Sequence, residues 1–197
     1  MARRSDTKQR MVGAARQLIR EHGYHSMALS DVVERSASPR GSLYYHFPQG
    51  KEQMAAEAAE AHTREQVDLI NKLAAEATTA EDLVRAYVDF ARDGMQDSDY
   101  GRGCTIAPLV LEVGESSEEL GAASRRAFFL MIETLALQLV VLGADKACAR
   151  ELAHATVAGV EGAMLTARAL RSPEPFDAVR AAVTGRAHAL TMPATEP

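Results

Sequence analysis

The stretch Ser38-Pro39-Arg40-Gly41-Ser42-Leu43-Tyr44-Tyr45-His46-Phe47-Pro48 crowds an arginine, a hydroxyl, two tyrosines and a histidine around two apolar residues four apart. On a helix, Leu43 and Phe47 share a face and can seat it on a core, leaving Arg40, Ser42, Tyr44, Tyr45 and His46 outward. Serine followed by proline is a helix-start signal, because the first helical N–H has no partner to lose. The spacing predicts a helix over 39–47, capped by Ser38. Gly41 removes a side chain where such a helix would press on a groove. Arginine can read guanine edges, and hydroxyls and imidazole reach phosphates.

Upstream, Val12, Ala15, Leu18 and Ile19 recur at helical spacing, predicting a helix over 6–22 stopped by Gly23. Ser30 reads as the cap of a short helix over 31–36 that turns Val32 and Val33 inward. Three short helices followed by a long one over 51–77 are the order of a helix-turn-helix head. Charge agrees: residues 1–51 carry nine Lys/Arg and four Asp/Glu, a net +5, against −10 for the remainder of a chain whose total is −5. A basic head on an acidic body fits a polyanion binder with a separate second function.

The remainder also reads as helical, so the fold class is all-α. Thr79 caps a helix over 80–95, and the Gly-rich 97–103 is a loop. A short helix or pair of turns covers 105–113, broken by Pro108 and Gly114. Ser116 or Ser117 opens a helix over 118–142 that ends at Gly143. Helices over 146–171 and 176–190 follow, separated by Ser172-Pro173-Glu174-Pro175, and the 192–197 tail is expected to fray. The composition break near residue 50 suggests a head at 1–50 and a body at 51–197.

The run Leu29-Ser30-Asp31-Val32-Val33, then Gly41-Ser42-Leu43-Tyr44-Tyr45-His46-Phe47-Pro48, then Lys51-Glu52 resembles the DNA-binding pattern of the TetR family of transcriptional regulators. The chain departs from that pattern with Ala37 where the family usually has glycine at the turn, with Ser38-Pro39, with Val33, and with Gly50 as an extra residue before the lysine. Gly50, Gly101-Arg102-Gly103-Cys104 and Ala107-Pro108-Leu109 are similar to the LmrA/YxaF-like branch. The resemblance implies a homodimer with about nine helices per chain and a C-terminal ligand cavity. It also implies release of double-stranded operator DNA when a small hydrophobic effector binds. Carried over by position, base-reading roles fall on Arg40, Ser42 and Tyr44, with Gly41 at close approach. Phosphate roles fall on Ser30, Tyr45, His46 and Lys51.

Tyr87, Phe90, Cys104, Leu109, Phe128 and Ile132 are candidates for the ligand cavity, the alternative for each being ordinary core, and for Cys104 an inert thiol. Ala155, Gly159, Gly162 and Ala163, with Val179 and Val183 of the last helix, form a small-residue seam suited to a helical dimer. Plain alanine richness is the alternative.

No Gly-x-Ser-x-Gly, His-Glu-x-x-His, P-loop or Cys-x-x-Cys occurs, and His22 and His25 straddle a helix stop. No catalytic residue, metal site or cofactor is therefore expected. The competing readings are an enzyme or a helical small-molecule-binding protein without DNA binding. The apolar run Leu135–Leu142 is too short to span a bilayer, and no secretory signal is evident at the N-terminus. A cytoplasmic protein with no membrane partner is the expectation.

Overall fold

Alanine-rich amphipathic segments, punctuated by glycine and proline, fold into helices throughout the described part of the chain. The computed structural model describes residues 2–113 and 116–191, with side chains for 6–113 and 116–189. The helices are α1 (Ala2–His22), α2 (Leu29–Arg35), a single 3₁₀ turn (Arg40–Ser42), α3 (Leu43–His46), α4 (Lys51–Glu76), α5 (Ala80–Asp97), α6 (Ile106–Val113), α7 (Glu118–Val141), α8 (Lys146–Leu170) and α9 (Glu174–Thr191). No strand occurs among the described residues. Gly114 and the 192–197 tail lie outside them.

Packing divides the chain into two units, Met1–Glu65 with Cys104–Phe128, and Gln66–Gly103 with Phe129–Pro197. This division differs from a border at residue 50, because α4 continues unbroken from Lys51 and buries Met54, Ala55, Ala58 and Ala59 before the units part.

In the first unit, Met11, Ala15, Leu18 and Ile19 of α1, Val32 and Val33 of α2, and Leu43 and Phe47 around α3 are all buried. Gly23, with φ +88°, ends α1 by donating its N–H to the Ile19 carbonyl. The turn after α2 closes as a Schellman arrangement, with Ala37 N–H to Glu34 O and Ser38 N–H to Val33 O. Ala37 takes the left-handed conformation there, φ +48°, where the family's glycine would sit without strain.

Two caps expected from sequence are corrected. The α2 helix begins at Leu29 and its cap is Ala28, so the Ser30 hydroxyl donates instead to Asp31 Oδ1 at 3.1 Å. Ser38 does not cap a helix beginning at Pro39. Its hydroxyl donates to the Ser36 carbonyl, and Pro39 is extended (φ −63°, ψ 132°). The Ser42 N–H and hydroxyl both donate to the Pro39 carbonyl, at 3.0 and 2.6 Å, which tightens this turn to 3₁₀ before α3 begins.

In the second unit α5, α8 and α9 pack on one another. Thr79 and Asp82 form a complete capping box on α5, as the sequence predicts. Asp145 caps α8 by accepting the N–H groups of Ala147 and Cys148, a cap the sequence reading missed. Gly143, φ +95°, ends α7 as expected. The last helix starts two residues early, at Glu174, because Pro175 in its first turn has no N–H to leave unpaired. Arg92 and Arg180 tie α5 to α9 through Asp89 and Asp177, with N–O distances of 3.1–3.4 Å.

Candidate nucleic-acid interface

The outward face of α3 is built by burying its opposite side. Phe47 is fully enclosed and Leu43 nearly so. Tyr44 and Tyr45 between them remain 69% and 66% exposed, and Arg40 and Gly41 are exposed on the preceding turn. His46 is half-buried, edge-on to Tyr45 at 5.1 Å and to Phe47 at 6.4 Å between ring centres. Thr7, Pro39, Gly41, Ser42, Tyr45 and His46 line an open recess of about 370 Å³. A concavity floored by glycine and rimmed by hydroxyls and imidazole suits an edge of a polyanion rather than an apolar ligand.

The supporting helices fix this face through main-chain atoms. Arg10 of α1 donates Nε–H to the Ser36 carbonyl at 3.1 Å, bracing the turn that launches α3. Arg35 of α2 pairs with Glu21 of α1 at 2.5 Å. Lys8 stands 5.5 Å from the centre of the Phe47 ring and pairs with Glu57 at 2.8 Å. Gly50, φ +72°, makes the reversal into α4, so the additional residue before Lys51 occupies a position that favours glycine.

Lys51 occupies a more enclosed setting than a simple surface cation. Its Nζ donates to the His25 carbonyl at 2.9 Å and stands 4.6 Å over the Tyr24 ring. Partial burial pulls its pKa below the usual lysine value, and the Glu112 carboxylate opposes that pull. The Tyr24 phenol moves up, through burial and then the charge of Glu52. An ammonium has three N–H donors, so the bond to His25 leaves donors for a phosphate.

The sequence reading missed the group that organises this corner. Glu112 of α6 accepts the Tyr24 N–H at 3.2 Å and the His25 N–H at 2.6 Å. Its carboxylate packs so closely on Gly23 that a Cβ there would overlap it. One carboxylate thus holds the segment joining α1 to α2, and Lys51 holds the same segment from its carbonyl side. Glu52 accepts the hydroxyl of Ser117, which caps α7 by accepting the Leu120 N–H. No local pattern announces a contact between residues 87 apart.

The other expected sites are distributed as follows. Tyr87, Phe90 and Ile132 belong to the second unit, and Cys104, Leu109 and Phe128 to the first. Tyr87, Cys104 and Leu109 are buried, and Phe128 and Ile132 are half-buried. Phe90 is 52% exposed, so it does not line an enclosed cavity within its unit. In the small-residue seam, Gly159 admits Val179 of the same chain: a Cβ on Gly159 would lie 2.8 Å from Val179 Cγ1. Ala163 and Val183 are buried within the chain as well. Half of the expected dimer seam is therefore occupied by α8–α9 packing within one chain. Ala155 and Gly162, with Ala158, remain on the exposed side of α8.

An exposed aromatic-basic face on a short helix, braced by two further helices, defines a helix-turn-helix DNA-binding protein. The model for bacterial regulatory proteins of the tetR family matches residues 12–58, and that for the LmrA/YxaF-like transcriptional regulator C-terminal domain matches residues 80–182. An uncharacterised HTH-type transcriptional regulator of Mycobacterium tuberculosis is 34% identical over 177 residues, spanning 87% of this chain and 89% of the relative. The HTH-type transcriptional regulator LmrA of Bacillus subtilis is 26% identical, spanning 87% of this chain and 91% of LmrA. Among solved structures, a TetR transcriptional regulator from Legionella pneumophila superposes with a TM-score of 0.81 at 22% identity, covering 90% of this chain and 95% of that one. The chain belongs to the TetR family of transcriptional regulators, in its LmrA/YxaF-like branch.

Proposed function

We propose that this protein is a ligand-responsive repressor that binds a palindromic operator as a homodimer and is released by a small hydrophobic effector. The observation that carries the reading is the pairing of buried Leu43 and Phe47 with exposed Tyr44, Tyr45 and Arg40. Two large aromatics held in water are costly on a helix whose purpose is packing, and useful on one that docks into a groove. Arg40, Ser42 and Tyr44 read bases, with Gly41 permitting close approach. Ser30, Tyr45, His46 and Lys51 hold phosphates, Ser30 by exchanging its bond to Asp31.

Residues 1–50 supply the DNA-binding head and 51–197 the ligand-binding and dimerising part. The exposed strip Ala155–Gly162 of α8 lets a second copy approach closely. Two heads then address major-groove faces about 34 Å or a multiple apart. The effector acts by population shift, limited by the difference in its affinity for the DNA-competent and released forms.

The test is fluorescence anisotropy with the DNA upstream of the protein's own gene, at several salt concentrations. Specific binding that weakens steeply with salt is expected. Arg40→Ala should relax base preference, and Tyr45→Ala or Lys51→Ala should weaken binding to all sequences. No binding at any salt would sink the reading.

A further inference from the structure

We propose that the Thr105 hydroxyl is the polar anchor of the effector, holding it through a carbonyl or carboxylate oxygen at the N-terminus of α6; this rests on the effector-release reading above. Thr105 directly precedes α6, at its N-cap. A threonine there ordinarily accepts the N–H of the second or third helical residue. The third is Pro108, which has no N–H. The first helical donor is also taken, since the Ile106 N–H points to Cys104 Sγ at 3.2 Å. Thr105 is fully buried, and its Oγ1 has no hydrogen-bond partner.

Two other buried atoms lack partners among the described residues, Arg16 Nε and Glu133 Oε1, but both belong to ion-paired groups, with Glu65 and Arg150. Thr105 has no such compensation. A buried hydroxyl left unmet is a standing cost that a ligand oxygen can remove. The positive end of α6 favours an acceptor there over a donor. The opposite end of this eight-residue helix carries Glu112, the clamp on Tyr24 and His25. An acceptor bound at Thr105 therefore loads the same rigid element that holds the base of the DNA-binding head.

Benzoate, acetophenone and toluene present one ring with an anionic acceptor, a neutral acceptor and none. Each is titrated calorimetrically into the full-length protein, wild type, Thr105→Ser and Thr105→Val, and the melting temperature of each unliganded protein is recorded. Wild type and Thr105→Ser should bind one of the acceptor-bearing probes at least about tenfold more tightly than toluene. Thr105→Val should bind toluene as wild type does, lose that preference, and melt at a higher temperature because a methyl replaces the unmet hydroxyl. A preference unchanged in Thr105→Val, or a lower melting temperature for it, overturns the anchor. Equal binding of all three probes to wild type overturns the anchor and leaves the effector reading standing; binding of none overturns both.

Discussion

Tyr44 and Phe176 are both aromatic residues on helices, yet one is 69% exposed and the other 1%. Phe176 lies among α5, α8 and α9, where small residues and shared ion pairs close the gaps: Gly159 admits Val179, and Asp89 and Asp177 bridge Arg92 and Arg180. The face around Tyr44 is held differently. Its supports reach main-chain atoms, with Arg10 on the Ser36 carbonyl, Lys51 on the His25 carbonyl and Glu112 on two N–H groups. A helix that must offer its side chains to another molecule cannot use them for its own seating, so backbone clamps take over that task.

Truncation separates the two designs most strongly. Phe176→Ala should destabilise the protein by about 3–5 kcal/mol, read by urea unfolding. Tyr44→Ala should leave stability within about 0.5 kcal/mol while weakening operator binding by about 1–3 kcal/mol. If Tyr44→Ala unfolded the protein as Phe176→Ala does, the contrast would be false.

Acid comes next. His62 is buried in the first unit, and burial, then the charges of Arg20 and Arg16, depress its pKa from 6.5 to about 3. The unfolded chain binds a proton that the folded one refuses, so stability falls as pH drops below 6.5 and levels off near 3. The slope from this group approaches about 1.4 kcal/mol per pH unit. Replacing His62 with glutamine should flatten the unfolding profile between pH 6 and 4; an unaltered profile would show that another group governs acid sensitivity.

A milder effect is expected for Glu112→Gln, which keeps one acceptor but loses the charge that two N–H groups share. A stability loss of about 1 kcal/mol should accompany weaker operator binding. Stability loss with operator affinity intact would make the clamp structural only. The smallest change is Ala37→Gly, which relieves a left-handed alanine but adds chain entropy to the unfolded state. The balance is a gain on the order of 0.5 kcal/mol, visible as a slightly higher melting temperature.

Much of this architecture was readable along the chain because its causes are local. Helical periodicity placed Leu18, Ile19, Leu43 and Phe47 inside, and Thr79, Gly23 and Gly143 marked helix ends correctly. Ser30 and Ser38 misled because each hydroxyl had a second acceptor within two residues, Asp31 and the Ser36 carbonyl, and local pattern does not rank such competitors.

The order of residues by itself determined the helical class, the family motif and the outward composition of α3, since spacing and side-chain chemistry suffice for those. Tertiary structure alone decided that Gly159 serves Val179, that Lys51 leans on His25, and that Glu112 secures a segment 87 residues earlier. Those outcomes depend on which surfaces meet after folding, and a hydrogen bond across such a distance along the chain leaves no periodic trace in it.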